Sequence, residues 1–490
     1  MSLVCLLAMS WSPMTLKADI VFPDVNGDTW ANSTDVTTLI NFLLSLDDTS
    51  VSWNNDYVSA TDYGAVGDGV TDDTQALEKL FAAAFSLRKA AYIPAGTYLI
   101  SRPLTLRTGM EVYGDGESTV IKKKAAVWYK LAAQLNVDEV EVTLEGVDGL
   151  QVGDAMFISD GKSHLTDGGG AARDCTYGII TAIDTANNKV TFEGTLDYMS
   201  GHQGAVKNHA VGCALSTSFA ILRSWSQWEC VNVNIHDICL DGNRQPNEPM
   251  SWCNGCIHFD PYTNGRRNTV WYKTRSYNHI ISNCRIVNSS FDGISDQGEG
   301  GLYVKDCVIE NSAMHGIHMG TDFANAIITG NTMTGNAVRG AGVFFCQNVT
   351  NVIVDGNKMT AFNHGCSDQE YGTEVKYIIV RNNEFYNTTS YVFDFLKATS
   401  ARHGVGLQVM NNAIYGLRTT LFSGSYLDDV VFTNNTVNSV AATPSTLINV
   451  TNSSNVIIVG NTLPSGASVS SPVVSTNSVN VINASNSWNE

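Results

Sequence analysis

The chain has 490 residues, 43% hydrophobic, 16% charged and 9% aromatic, so it can bury a large core and is neither a disordered chain nor a small disulfide-stapled scaffold. Lys and Arg number 29 against 47 Asp and Glu, and the net charge of −18 argues against nucleic acid or an anionic membrane as partner, since the average surface repels both. The 42 glycines against 10 prolines, with frequent Asn, Thr, Ser and Val, point to many short strands and tight turns.

Residues 1–18 are apolar and uncharged up to Lys17, too short to span a bilayer, and read as a secretory signal segment. The mature protein is therefore expected to be secreted, extracellular or periplasmic, and without a membrane span. Of the 11 cysteines, Cys5 lies in that segment, leaving an even number that permits disulfides. In residues 19–46, Asp24, Asn26, Asp28, Asn32 and Asp35 fall at loop positions one, three, five, nine and twelve, the spacing that wraps Ca²⁺ ahead of a helix. Val36, Leu39, Ile40 and Leu43 then share one helical face. The unit resembles one half of a dockerin repeat. It occurs once, and Thr29 stands where a glycine usually permits the sharp turn, so a cohesin-type partner is not expected. Residues 47–58 are polar and read as a linker.

A single β domain is expected over residues 59–490. Asp72 and Gln75 are spaced like a capping box at the start of an amphipathic helix through Phe85, suited to plugging the apolar end of a solenoid. Asp62-Tyr-Gly-Ala-Val-Gly-Asp68-Gly-Val-Thr-Asp72, Pro94-Ala-Gly-Thr-Tyr98 and Tyr113-Gly-Asp-Gly116 together resemble the entrance of the pectate-lyase-like superfamily, shared by alginate epimerases, family-28 polygalacturonases and phage tailspikes. The resemblance implies a right-handed parallel β-helix and a polysaccharide partner. Residues 139–207 depart from any coil pattern. Their short apolar runs and the pair Asn187-Asn188 predict a small inserted β-module with a tight hairpin.

Downstream, Cys284, Cys307, Asn331, Asn357, Asn383, Asn412, Asn435, Asn461 and Asn486 recur in one equivalent turn, separated by 23, 24, 26, 26, 29, 23, 26 and 25 residues. A unit that short cannot bury its own apolar face, so units must stack, climbing by about one strand spacing of ~4.8 Å per coil as an all-β, right-handed parallel β-helix. Stacking places identical side chains above one another, so the asparagines form a ladder, and Cys284 and Cys307 continue it as buried thiols rather than a disulfide. Cys239-Leu-Asp-Gly-Asn243 echoes the turn upstream, and the 41 residues from Asn243 to Cys284 leave room for a long loop.

Aligning the coils on Gly255, Gly293, Gly316, Gly340 and Gly365 places Asn254, Asp292, His315, Arg339 and His364 in one column, with Ser295 and His318 facing outward beside it. Acid, imidazole and guanidinium groups one coil apart can fix a tautomer and hold a substrate anion, or they can form a self-satisfied polar ladder. The loop adds Arg266, Arg267, Lys273, Arg275 and His279, interleaved with aromatics such as Tyr262 and Trp271, as a candidate surface for an acidic polysaccharide or simply a solvated loop. A β-eliminating lyase needs a base for the C5 proton, a cation for the growing enolate charge and an acid for the leaving oxygen, roles open to His315 or His318, to Arg339, and to Tyr262 or His364. An inverting hydrolase needs two carboxyls ~6.5–9.5 Å apart, which Asp292 with Asp296, Asp322 or Asp260 could supply. Met314-His-Gly-Ile-His-Met-Gly320 resembles the Gly-His-Gly strand of polygalacturonases, while Leu240-Asp-Gly-Asn-Arg244 and Phe259-Asp-Pro261 resemble the alginate epimerases. The sequence thus leads to a secreted enzyme depolymerising an acidic polysaccharide, with β-elimination first, hydrolysis second, and a non-catalytic glycan-binding β-helix third.

Overall fold

The computed structural model describes residues 56–136, 139–159, 176–193, 208–224, 229–245, 255–259, 276–298, 300–320, 323–368 and 374–488. The signal segment, the Ca²⁺ loop from Asp24 to Asp35, nearly all of the linker, and Asn254, Tyr262, Arg266, Arg267 and Lys273 lie outside the described residues.

Two parallel sheets, one of 24 strands and one of 11, wrap an apolar core. Along the 11-stranded sheet, Ile257, Ile294, Ile317, Val343, Cys366, Phe393, Phe422 and Ile448 stack in register and all point into the core. Strands this short are marginal alone; each is held by ladders to the coil before and the coil after.

The turn ladder shows why the repeat carries asparagine. Asn331 Oδ1 accepts from the Cys307 amide at 2.9 Å, and the pattern repeats from Asn331 to Asn357 (3.0 Å), Asn357 to Asn383 (2.8 Å), Asn383 to Asn412 (3.0 Å), Asn412 to Asn435 (3.1 Å), Asn435 to Asn461 (2.9 Å) and Asn461 to Asn486 (2.7 Å). Each Nδ2 also donates to a carbonyl of a neighbouring coil, as Asn383 does to Val354 O at 2.9 Å. One side chain so satisfies a backbone donor and a backbone acceptor that the turn leaves buried. The residue before each ladder position has φ near +50° to +71° and is Gly, Asn, Asp or Ser: Asn283, Asp306, Gly330, Gly356, Asn382, Asn411, Asn434, Gly460 and Ser485. Cys284 and Cys307 take the same place as free thiols, donating to Ser282 O and Lys305 O at 3.3 Å. Upstream, Asn243 does not extend this ladder, because Cys239 pairs with Arg285 and the register puts Ile238 beside Cys284.

The helix Thr74–Leu87 buries Leu77, Leu80, Phe81 and Ala84 against the core. Its N-cap is Asp73, not Asp72, and no side chain closes a capping box. The Asp73 carboxylate instead accepts from the amides of Val66 (2.7 Å) and Gly67 (3.0 Å), tying down the preceding loop, while Asp72 accepts from the Thr74 amide. A six-stranded antiparallel sheet with its own core, including Leu131, Val142, Met156, Ile158 and Leu215, interrupts the coils. It runs from Trp128–Lys130 to Ala214–Ser216 and so reaches beyond 139–207 at both ends. Strands Thr176–Asp184 and Lys189–Glu193 form its hairpin, with Asp184 Oδ1 accepting from the Ala186 amide at 3.0 Å.

Candidate functional site

On the 11-stranded sheet the core residues alternate with an outward column: Thr105, Arg223, His258, Ser295, His318, Phe344, Ser367, Asp394, Ser423 and Asn449. Beside it, at or just before the start of each strand, stand Asp292, His315, Ala341 and His364. A glycine column lies between them. A Cβ on Gly293 would meet Gly316 O at 2.7 Å, one on Gly316 would meet Gly342 O at 2.7 Å, and one on Gly342 would meet Gly365 O at 3.0 Å. The glycines are therefore required by contact with the next coil's backbone.

That register corrects the column read from the sequence. Gly342, not Gly340, follows Gly316, so Ala341 stands between His315 and His364, and Gly255 falls beside Asp292, leaving Cys256 in line with Gly293. Arg339 lies two residues early, half-buried on the turn beside Met314. Gly340 serves a different purpose, a left-handed φ of +77°. Asp296 is also displaced: it pairs with Phe259 and Met319, both core residues, and so points inward. Its Oδ1 accepts from the Gly298 amide at 2.8 Å. The proposed partnership of Asp292 with Asp296 across a substrate thus fails on orientation. His279, assigned above to the basic loop, is in the core. Its ring is stacked on Phe259 at 3.8 Å, and burial pulls its pKa down to about 3.

Asp292, His315 and His318 do come together. The Asp292 carboxylate accepts from the His315 amide at Oδ1 (3.1 Å) and from His318 Nδ1 at Oδ2 (2.8 Å). The Ala341 amide donates to His315 Nδ1 at 2.9 Å. The two rings are 5.4 Å apart at 71°, and the His315 ring lies flat on Phe344 at 4.0 Å. These partners assign opposite tautomers. His318 donates a hydrogen bond from Nδ1–H to a carboxylate and, when neutral, keeps a lone pair on Nε2, whereas His315 accepts a hydrogen bond at Nδ1 and, when neutral, carries its proton on Nε2. One imidazole is thus arranged as a base and its neighbour as a donor.

The segment bearing Asp292 is braced from behind. Ser289 Oγ donates to Asp292 O, and the fully buried Lys123 donates to Ser290 Oγ (2.9 Å) and Phe219 O (2.7 Å). Burial among neutral partners lowers the Lys123 pKa to about 8. The atoms of Asp292, His315 and His318 also lie within 4.8 Å of one another, a spacing that admits a metal ion. The donor set does not fit one: His315 Nδ1 is engaged by a backbone N–H, which leaves Nε2 protonated, so the imidazole offers no lone pair and only Asp292 and His318 remain.

A second cluster lies on the same face. His364 Nδ1 is 3.3 Å from Asp394 Oδ2, and the ring stacks loosely on Tyr391 at 6.0 Å. Asp368, in the inward column beneath, accepts from the Leu396 amide at 3.0 Å, and burial, with the Asp394 charge beside it, raises its pKa well above the carboxylate range. Arg223, His258 and Asp394 went unnoticed in the sequence because no aligned glycine marks the correct register of their coils.

Residues 57–143 match the family described as rhamnogalacturonase A/epimerase, pectate lyase-like, and residues 268–486 match the right handed beta helix region. Mannuronan C5-epimerase AlgE2 of Azotobacter vinelandii is 29% identical over 150 residues, 29% of this chain and 14% of the epimerase. The pre-neck appendage protein of Bacillus phage phi29 is 39% identical over 66 residues, 14% of this chain and 7% of that protein. The matched stretches span 5% to 14% of the length of the curated relatives. The Dettilon tailspike protein (gp208) superposes with a TM-score of 0.50 at 13% identity, over 88% of this chain and 70% of that one, a likeness of fold. The two family matches, with coils that pair in register, mark the chain as a right-handed parallel β-helix similar to the pectate-lyase-like proteins.

Proposed function

We propose that the chain is an enzyme acting on an acidic polysaccharide by proton transfer, with β-elimination at a uronate as the reaction. His318 Nε2 takes the C5 proton, the C5–H electron pair forms the C4–C5 double bond, the C4–O bond breaks, and His315 Nε2–H protonates the departing oxygen. The observation that carries this is that the Nδ1 atoms of His318 and His315 face opposite kinds of partner, the Asp292 carboxylate and the Ala341 amide, which favours opposite tautomers. Asp292 orients His318 and stabilises its imidazolium as it forms. Arg339 is assigned to the uronate carboxylate, because its turn packs against Met314 and His315. The activity named in the mannuronan C5-epimerase relatives agrees with this class of substrate. Export through residues 1–18 and Ca²⁺ in the Asp24–Asp35 loop belong to the same proposal.

Hydrolysis is the second reading: the inward orientation of Asp296 removes it as the partner of Asp292, while Asp260 and Asp322 lie outside the described residues. The test is a screen of the full chain against pectins, alginates and glycosaminoglycans, with and without Ca²⁺, following unsaturated-uronate absorbance and new reducing ends together. Both should rise. Reducing ends without absorbance would replace elimination by hydrolysis, and silence in both would favour a glycan-binding protein.

A further inference from the structure

The turn that leads into the strand Ala341–Phe345 differs from its neighbours. From the ladder residue to the column glycine there are nine residues in the coil before (Cys307 to Gly316), eight in the coil after (Asn357 to Gly365) and eleven here (Asn331 to Gly342). The longer turn carries Arg339. Val338 beside it is 70% exposed, so this part of the rim faces solvent although the His315 ring beneath is buried.

Asn336 attaches that turn to the one bearing His315. Between the two preceding coils the backbone makes the attachment directly, the Ala313 amide donating to Ser289 O at 3.0 Å. The residues in the same places relative to Gly342 and Gly316 are Arg339 and Ser312, and the Asn336 side chain stands between them. Its Oδ1 accepts from the amides of Arg339 (3.1 Å) and Val338 (2.9 Å), and its Nδ2 donates to Ser312 O and Ala313 O, both at 2.9 Å. One side-chain amide thus relays a coil-to-coil bond and accommodates the longer turn.

The turn is held in a set shape. Ala337 sits at φ +62°, a conformation alanine rarely adopts; its amide donates to Ala361 O at 2.6 Å and its carbonyl accepts from Thr389 Oγ at 3.0 Å. The turn ends at Ala341, whose amide donates to His315 Nδ1 at 2.9 Å. A direct backbone bond, as between the preceding coils, would satisfy the Ser312 carbonyl without a left-handed alanine, so packing alone does not account for the clamp.

We infer that Asn336 is a positioning residue: by fastening residues 336–341 to the turn from Ser312 to His315, it sets both the Ala341 amide that fixes the His315 tautomer and the place of Arg339 beside that ring. This rests on the proposed reading of His315 as the proton donor and Arg339 as the partner of the uronate carboxylate.

The experiment uses the full-length protein with N336A, which removes both halves of the clamp, and N336D, which keeps the acceptor for the Val338 and Arg339 amides and loses the donor to Ser312 O and Ala313 O. Long-range ¹H–¹⁵N correlation on histidine-labelled protein reads His315 and His318 separately. In both variants the Nδ1-protonated form of His315 should rise from minor to comparable with the Nε2 form, while His318, held by Asp292, keeps its wild-type signals. On the substrate found by screening, kcat should fall about tenfold or more. A merely structural role would lower the denaturation midpoint and leave both rings as in the wild type, and that outcome overturns the inference, as does a change of equal size at His318 or one confined to N336A. If the wild-type protein shows both rings in one tautomer, or R339A leaves turnover unaffected, the functional reading itself fails and the inference falls with it. Opposite tautomers in the wild type with no effect of either Asn336 variant remove the inference alone.

Discussion

At the scale of single residues, Asp292, the Ala341 amide and two imidazoles carry the chemistry. H318Q and H315Q should each lower turnover by roughly 10²–10⁴-fold while leaving the fold intact, since each removes one proton-transfer group. D292N should lose a comparable factor by a different route: the new amide can donate to His318 Nδ1 and move the ring proton to Nε2, so the base is lost although the ring stays in place. Steady-state kinetics on the substrate found by screening would check all three, and wild-type turnover in D292N would contradict the role given to Asp292. Asp292, His315 and His318 were legible in the sequence because true glycines of the ladder, Gly293 and Gly316, lie next to them. Arg339 was misplaced because Gly340 and Gly342 look alike in sequence. Only the fold separates a glycine needed for its φ of +77° from one needed for contact with the next coil.

At the scale of elements, the asparagine turn and the glycine column hold the coils in register. Removing the side chain in N383A orphans the Asn357 amide and Val354 O within a buried turn. The cost of leaving buried partners unpaired is roughly 1–3 kcal/mol for each group, so the denaturation midpoint should fall clearly, whereas T436A on the exposed face should move it little. G316A should distort the site from within, because the added methyl meets Gly342 O at 2.7 Å beside His315, and activity should drop more than stability. Recurrence of one residue type at coil spacing made the ladder readable, since stacking demands identical side chains. The upstream coils were not, because the antiparallel sheet from Trp128–Lys130 to Ala214–Ser216 interrupts the period and Ile238 replaces the ladder residue. The helix was readable by its apolar face, but its cap was not, because Asp73 is committed to the Val66 and Gly67 amides by tertiary contact.

At the scale of the molecule, one core runs through the coils, and its buried titratable groups couple stability to pH. His279 is neutral in the core with a pKa near 3, while in the unfolded chain it protonates near the ordinary 6.5. The unfolded state therefore binds more protons between these values, so stability is full above pH 6.5 and declines as pH falls towards 3. H279L, which keeps an apolar side chain against Phe259, should flatten that stretch of the denaturation profile; an unchanged slope would remove His279 as its source. Among the described residues no helix is long and apolar enough to cross a membrane. The central claim, that a carboxylate and a backbone amide lock two adjacent histidines into opposite tautomers, can be tested without knowing the substrate. Long-range ¹H–¹⁵N correlation on histidine-labelled protein near neutral pH, with H315Q and H318Q for assignment, should show His318 protonated at Nδ1 and His315 at Nε2. Finding both rings in the same tautomer would contradict the account.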